Sequence, residues 1–256
     1  MQNRIIDAHA HCGVQDTGFA QSFEAYLSQI RGSAIDGVVM FAPVYEIYDR
    51  YDPRFRDTPE WQARRRAANE YVLSLRSSSQ LLVHPYFFIW NDFAIEALDE
   101  GFLGIKWHRH ANEPEYAYDD PACGRALEAI TRRNLPVVLE EEFANTVRFI
   151  EELAPSARVI IPHLGGLNGG YSRLAEKGLF ARETVYADTS LASQGEMLDY
   201  LRRFGSERLM FGSDFPFGDP QQELRKIQSL PLEESVRSAL AGGNLQRLLA
   251  GVRTPG

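Results

Sequence analysis

Residues 135–166 read LPVVLEEEFANTVRFIEELAPSARVIIPHLGG, and they contain one complete strand–helix–strand unit. Val137-Val138-Leu139 and Val159-Ile160-Ile161 are continuously apolar rather than alternating. Runs of that kind mark strands buried on both faces. The segment between them carries a helical pattern, and a crossover of about that length is what two parallel neighbours require. Both runs lead into ionisable residues, Glu140 and His163.

The same rhythm extends in both directions. Strands are expected at Arg4–His11, Gly37–Ala42, Leu81–Trp90, Gly104–His108, Pro136–Glu142, Arg158–His163, Thr184–Thr189 and Arg208–Asp214. Helical patterns fill the intervals: Ser22–Arg31, Thr58–Leu75, Phe93–Glu100, Pro121–Arg133, Phe143–Leu153, Tyr171–Leu179, Gln194–Phe204, Pro220–Gln228, and Leu232–Leu249 with a break at Gly242-Gly243. Pro121 suits a first helical turn and Asp120 suits its cap. Eight such units in 256 residues have the size of a closed barrel. A doubly wound open sheet is the competing arrangement, but no glycine fingerprint follows the first strand. The expectation is a single-domain (β/α)8 TIM barrel spanning residues 1–256. Two connections are long, 44–58 and 110–120. Both follow strands, where they form either a substrate wall or ordinary surface excursions.

The net charge of −8 is spread along the chain. A diffuse acidic balance argues against nucleic acid and anionic membranes as partners. Apolar runs such as Leu81-Leu82-Val83 stop far short of the roughly 20 residues a membrane helix needs. The first residues, MQNRIIDAHAH, show no basic region followed by an apolar stretch, so no signal peptide is expected. The two cysteines, Cys12 and Cys123, are far apart and form no framework. A reducing, cytoplasmic setting follows. The expected partner is a small-molecule substrate. Nothing fixes the oligomeric state, and a homo-oligomer is compatible with the sequence.

The chemistry begins at Asp7-Ala8-His9-Ala10-His11. Residues two apart on a strand point to one side, with Cα atoms roughly 6.5–7 Å apart. Two imidazoles so placed can chelate an ion, although a lone His-x-His is a weak signal. Glu140, His163 and Asp214 strengthen it, because each follows a buried strand run. Charge left unpaired there is costly. A shared cation explains several such ends together, and zinc accepts this donor set. Lys106, one of three lysines, lies in Gly104-Ile105-Lys106-Trp107-His108. It either neutralises a substrate carboxylate, bridges two metals as a carbamate, or snorkels. His108 shares its parity and reads as a substrate contact, and His110 as solvent-facing. Asp7 shares the parity of His9 and His11, which suggests that it orients a histidine. Cys12 has the wrong parity and reads as packing. His84, Trp90 and Asn91 are placed to line the pocket from the third strand.

Taken in order, DAHAH, GIKWH, LPVVLEEE, IIPHLGG, VYADTS, LMFGSDFPF and GGNLQRLL resemble the amidohydrolase superfamily over nearly the whole chain. The resemblance is to the amidohydrolase-related branch, which includes aminocarboxymuconate-semialdehyde decarboxylase. It implies one or two divalent ions, Zn²⁺ or alternatively Mn²⁺, at the C-terminal mouth of the barrel. His9 and His11 would be ligands from the first strand. Asp214 would bind metal and handle a proton, and His163 would act beside the ion or as a ligand. Related sequences commonly carry histidine where this chain has Glu140, followed by Glu141 and Glu142. The fifth-strand ligand is therefore a carboxylate if there is one at all.

Three functions remain open. The first is a metal-dependent hydrolase using a metal-activated water, with Asp214 and His163 catalytic. The second is a non-oxidative decarboxylase of an aromatic or muconate-type acid. The third is a ligand-binding barrel without catalysis, since fold does not fix function.

Overall fold

The computed structural model describes residues 4–13 and 21–253. Its eight strands are β1 (Ile5–His11), β2 (Ile35–Phe41), β3 (Leu82–Phe88), β4 (Gly104–His108), β5 (Val137–Glu140), β6 (Val159–Ile161), β7 (Val185–Asp188) and β8 (Leu209–Met210). They pair in sequence order, all parallel. Backbone bonds close the ring between its two ends: Ala8 N to Phe211 O at 2.8 Å, Asp214 N to His9 O at 2.7 Å and His11 N to Phe215 O at 2.8 Å. The chain is thus the single-domain (β/α)8 barrel its apolar runs predict.

The helices are α1 (Phe23–Gln29), α2 (Pro59–Ser74), α3 (Pro121–Arg133), α4 (Phe143–Arg148), α5 (Tyr171–Glu176), α6 (Gln194–Phe204), α7 (Pro220–Gln228), α8 (Glu234–Ser238) and α9 (Asn244–Ala250). Local chemistry sets their ends. Asp120 caps α3 through Ala122 N, and Pro121 opens the helix. Ser193 and Glu196 form a capping box on α6. The helix expected at Phe93–Glu100 is only a 3-10 turn, Ile95–Glu100. Phe93 stands at a positive φ and Ala94 is non-helical, so the segment cannot begin as an α-helix. The break expected at Gly242-Gly243 is a π-turn between α8 and α9. A Cβ on Gly242 would lie 2.1 Å from Arg4 O, so only glycine lets this turn approach the foot of β1.

Strand parity divides the core. Outward residues such as Val137, Leu139, Val159 and Ile161 pack under the helices. Ile6, Ala8, Val39, Phe41, Tyr86, Val138, Ile160 and Met210 fill the interior, joined by Leu245 and Leu248 of α9. Among the described residues no helix is long and apolar enough to cross a membrane.

Candidate metal centre

β1 changes face partway along its length. Ile6 and Ala8 belong to the interior cluster, while Ala10 and Cys12 belong to the outer one. The pairing register with β2 shifts between Asp7 and Ala10. This irregularity lets His9 and His11 both turn to the barrel mouth, although Asp7 faces away; such devices recur next to active sites. Asp7 therefore orients no imidazole. It accepts from the backbone N–H of His9 and of Ser213, and from the Tyr26 and Ser213 hydroxyls. It fixes the β1–β8 seam rather than a ligand.

The ring of His9 is instead held by Asp188, the last residue of β7, whose Oδ2 lies 2.8 Å from Nδ1. A carboxylate only accepts, so Nδ1 carries the proton and Nε2 presents its lone pair inward. There it faces Asp214 Oδ1 at 3.3 Å, and His11 Nε2 faces the same oxygen at 3.2 Å. Ligand atoms of His9, His11 and Asp214 all lie within 4.8 Å of one another and are buried. Two imidazole nitrogens and a carboxylate oxygen, with the orienting carboxylate of Asp188 behind, fit a divalent cation. Ligand atoms of His9, Glu140 and His163 form a second such cluster, and those of His108, His110 and Glu140 a third.

Asp188 also reaches the sixth strand's histidine. Its Oδ1 accepts from Ser190 Oγ and from His163 N at 3.1 Å, and Ser190 Oγ lies 2.8 Å from His163 Nδ1. The hydroxyl, donating to the carboxylate, accepts from the imidazole. His163 itself stands at φ 55, which aims its ring back across the mouth. Burial alone would lower its pKa. The hydrogen bond to Glu140 and the charges of Asp214, Glu140 and Asp188 outweigh burial and raise it to about 9. Burial would likewise raise Asp188, but the neighbouring histidines and Ser190 hold it at about 2. His11 and His108 are pushed by burial down to about 4.

Above these groups lies a cavity of about 320 Å³. Asp214, His11 and Glu140 are at its floor. Val44, Leu167, Leu191 and Phe217 make an apolar side, and Arg50 a basic one, beside the imidazoles of His108 and His110. The two long connections meet here. Tyr48 OH donates to Glu113 Oε2 at 2.7 Å, and Arg50 bonds both Glu113 and His110. His110 is thus a wall residue that keeps 32% of its side chain exposed, as its place in the loop suggests, while its Nε2 lies 2.5 Å from Glu140 Oε1. Lys106 lies beneath the cavity, wholly buried, and pairs with Glu140 at 2.8 Å.

Three expected pocket residues lie elsewhere. Trp90 is buried in the outer layer, stacked on Tyr48 at 4.0 Å and beside Tyr116 at 4.5 Å. Asn91 braces the following connection through Glu115 O and Ala117 N. His84 sits low on β3, opposite Val39. Trp90 and Asn91 depart because β3 ends at Phe88, below the mouth, and His84 because it lies near the start of that strand. Sequence reasoning passed over Asp188 and Ser190. Asp188 obeys the same strand-end rule that singled out His163 and Asp214, so the signal was present.

Known proteins bear on this arrangement in two ways. The family model described as amidohydrolase matches residues 91–250. No curated protein matches the sequence. Among solved structures, 2,6-dihydroxybenzoate decarboxylase from Rhizobium superposes with a TM-score of 0.76 at 14% identity, covering 98% of this chain and 99% of that one. A Pseudomonas putida protein assigned as a 2-pyrone-4,6-dicarboxylic acid hydrolase gives 0.70 at 19%, covering 98% and 99%. A dihydroxybenzoic acid decarboxylase from a Polaromonas species, with bound manganese and 2-nitroresorcinol, gives 0.73 at 15%, covering 97% of each. At these identities the likeness is one of fold.

Proposed function

The chain belongs to the amidohydrolase family, and from that premise we propose that it is a metal-dependent hydrolase of a small organic acid. One observation carries the reading. His9, His11 and Asp214 converge their ligand atoms within 4.8 Å, and His11 and Asp214 line a cavity large enough for such a substrate. Zinc suits two imidazoles and a carboxylate, and manganese, bound by one structural neighbour, is the alternative. A divalent ion at this position supplies Lewis acidity and lowers the pKa of water toward neutrality.

The chain's own groups supply the rest. Asp214 is held below the usual carboxylate range by its histidine neighbours, against the effect of burial. It is therefore ionised and placed to accept the proton of the attacking water. His163, whose pKa the neighbouring carboxylates raise against burial, stands beside His9 and Glu140 and stabilises negative charge developing on the substrate oxygen. Arg50, His108 and His110 orient an acidic group, while Leu167, Leu191 and Phe217 exclude water from its apolar part.

The basic wall also favours a second reading, non-oxidative decarboxylation, in which His163 delivers its proton to carbon. Two of the structural neighbours are named for decarboxylation of dihydroxybenzoic acids. Carbon dioxide release from hydroxybenzoates or muconate-type acids, set against hydrolysis of lactones, separates the two. For both, His9→Ala and Asp214→Ala are expected to lose bound metal and activity together. The loss should exceed the roughly 10–100-fold that removal of an outer partner causes. Unchanged metal content and turnover in both variants would exclude the assignment.

A further inference from the structure

One side of the cavity continues past its mouth. Val44, Leu167, Leu191 and Phe217 line that side. It begins at the floor, where the Phe217 ring stands edge-on to His11 with centroids 5.8 Å apart. It ends in the open: Leu167, Leu191 and Phe217 are 48%, 48% and 46% exposed. Large apolar side chains scattered singly over a surface are ordinary, but three beside one cavity are not. Nor is their exposure slack in the loops. Leu167 lies between Leu164 and Asn168, both wholly buried, and the Asn168 amide donates to Leu139 O and Thr146 Oγ1 at 3.0 Å. Leu191 follows Ser190, which is bonded to Asp188 and His163. Its backbone is held at φ 56, a left-handed conformation that is costly for a leucine. The chain thus accepts strain to keep an apolar side chain at the rim, and strain of that kind gathers at ligand sites.

We propose that this strip is a subsite for an apolar tail, so that the substrate is an amphiphile. Its reacting group lies at the floor and its acid group toward Arg50. An alkyl or aryl tail several carbons long runs out of the mouth over Leu167 and Leu191. The inference rests on the metal-dependent reading above and narrows its substrate. Two observations fix the occupant. Across the cavity the wall is polar, with Arg50 bonded to Glu113 and His110, so the tail has one side to lie on. Three side chains are also far too little for a protein partner, which needs about 800 Å² on each side. A tail on the strip covers both leucines and gains the transfer free energy of its own methylenes. A substrate that ended inside the cavity would leave both leucines in water.

A homologous series of hydroxamates tests this by binding alone. The full chain is dialysed against Zn²⁺, and Kd is measured by isothermal titration calorimetry for acetohydroxamate, hexanohydroxamate and octanohydroxamate. Along the series Kd is expected to fall about twofold per added methylene, short of the roughly fourfold of full burial because the strip stays open on one side. Leu167→Ser combined with Leu191→Ser, confirmed as folded by circular dichroism, is expected to flatten the series while leaving acetohydroxamate within about twofold of the wild type. Leu198→Ser, which replaces a leucine of α6 that is 38% exposed and not part of the cavity, is expected to keep the wild-type slope. A wild-type series without slope would overturn the proposal. So would a double variant that keeps the slope, a Leu198→Ser that loses it, or a zinc-loaded chain that binds none of the three. Should the double variant not fold, Leu191→Ser alone is read in its place, with a shallower slope than the wild type expected. Should the dialysed chain hold no zinc, the metal-dependent reading fails, and the subsite is judged by the same slope between hexanoate and octanoate, whose acid group meets Arg50.

Discussion

At the residue scale, Asp188 links the two histidines that face each other across the mouth. One oxygen takes the proton of His9 Nδ1; the other takes Ser190 Oγ and, through it, steadies His163. An asparagine here keeps one acceptor and turns an N–H₂ toward the other partner, so one of the two histidines loses its orientation. Asp188→Asn is expected to weaken metal binding by about 10–100-fold, read by chelator competition on a chain whose circular dichroism is unchanged. An unaltered Kd would mean that His9 is positioned by packing alone. The candidate site residues were legible in sequence because an ionisable group at the end of a buried run needs a partner, and His9, His11, His163 and Asp214 all meet that condition. Asp7 was not, since parity arguments assume a regular strand and β1 shifts register between Asp7 and Ala10. Arg50 and His110 were illegible for a different reason. They lie in loops, whose side-chain directions follow from tertiary bonds to Glu113 and Glu140 rather than from any period.

At the element scale, the cavity's basic wall depends on how the connection from β2 to α2 is tied down. Arg65 of α2 does this from beneath. Its guanidinium bonds Ile47 O at 2.9 Å, Asp57 at 2.8 Å and Asp92 at 2.6 Å, with only 2% of its side chain exposed. Arg65→Met keeps the stem and removes the fork. The expected loss of stability is about 2–3 kcal/mol in urea unfolding, short of the 3–5 for a fully buried pair because both aspartates remain partly exposed. KM should rise more than kcat falls, since Tyr45 and Arg50 ride on the released segment while the ligands do not. A variant as stable as the wild type would show that the connection holds itself. Whole elements read well from sequence where local signals agree. The Asp120-Pro121 start delimits α3, and α6 and α7 likewise keep their expected bounds. Strand ends read less well. β8 pairs over only Leu209–Met210, because Gly212–Asp214 leave the ladder to bond β1 and present Asp214.

At the scale of the molecule, the barrel separates chemistry at its mouth from stability at its foot, a division common to this architecture. The foot carries its own titratable group. His84, low on β3, is pushed by burial, and then by the charges of Arg4 and Arg76, from its ordinary 6.5 down to about 4. The unfolded chain takes up that proton near pH 6.5, whereas the folded chain refuses it until about pH 4. Stability from this group is therefore complete above pH 6.5 and is lost as the pH falls from 6.5 toward 4. His84→Gln removes the titration. Between pH 7 and pH 4 the variant should lose about 2–3 kcal/mol less than the wild type, measured by urea unfolding at matched metal content. His11 and His108 titrate in the same direction, but they are common to both proteins and cancel in the difference. Metal stoichiometry and Kd should be unchanged at pH 7, because His84 lies on the side of the interior cluster away from the ligands. If the substitution altered metal binding as much as acid stability, the two ends of the barrel would be coupled and the separation would not hold.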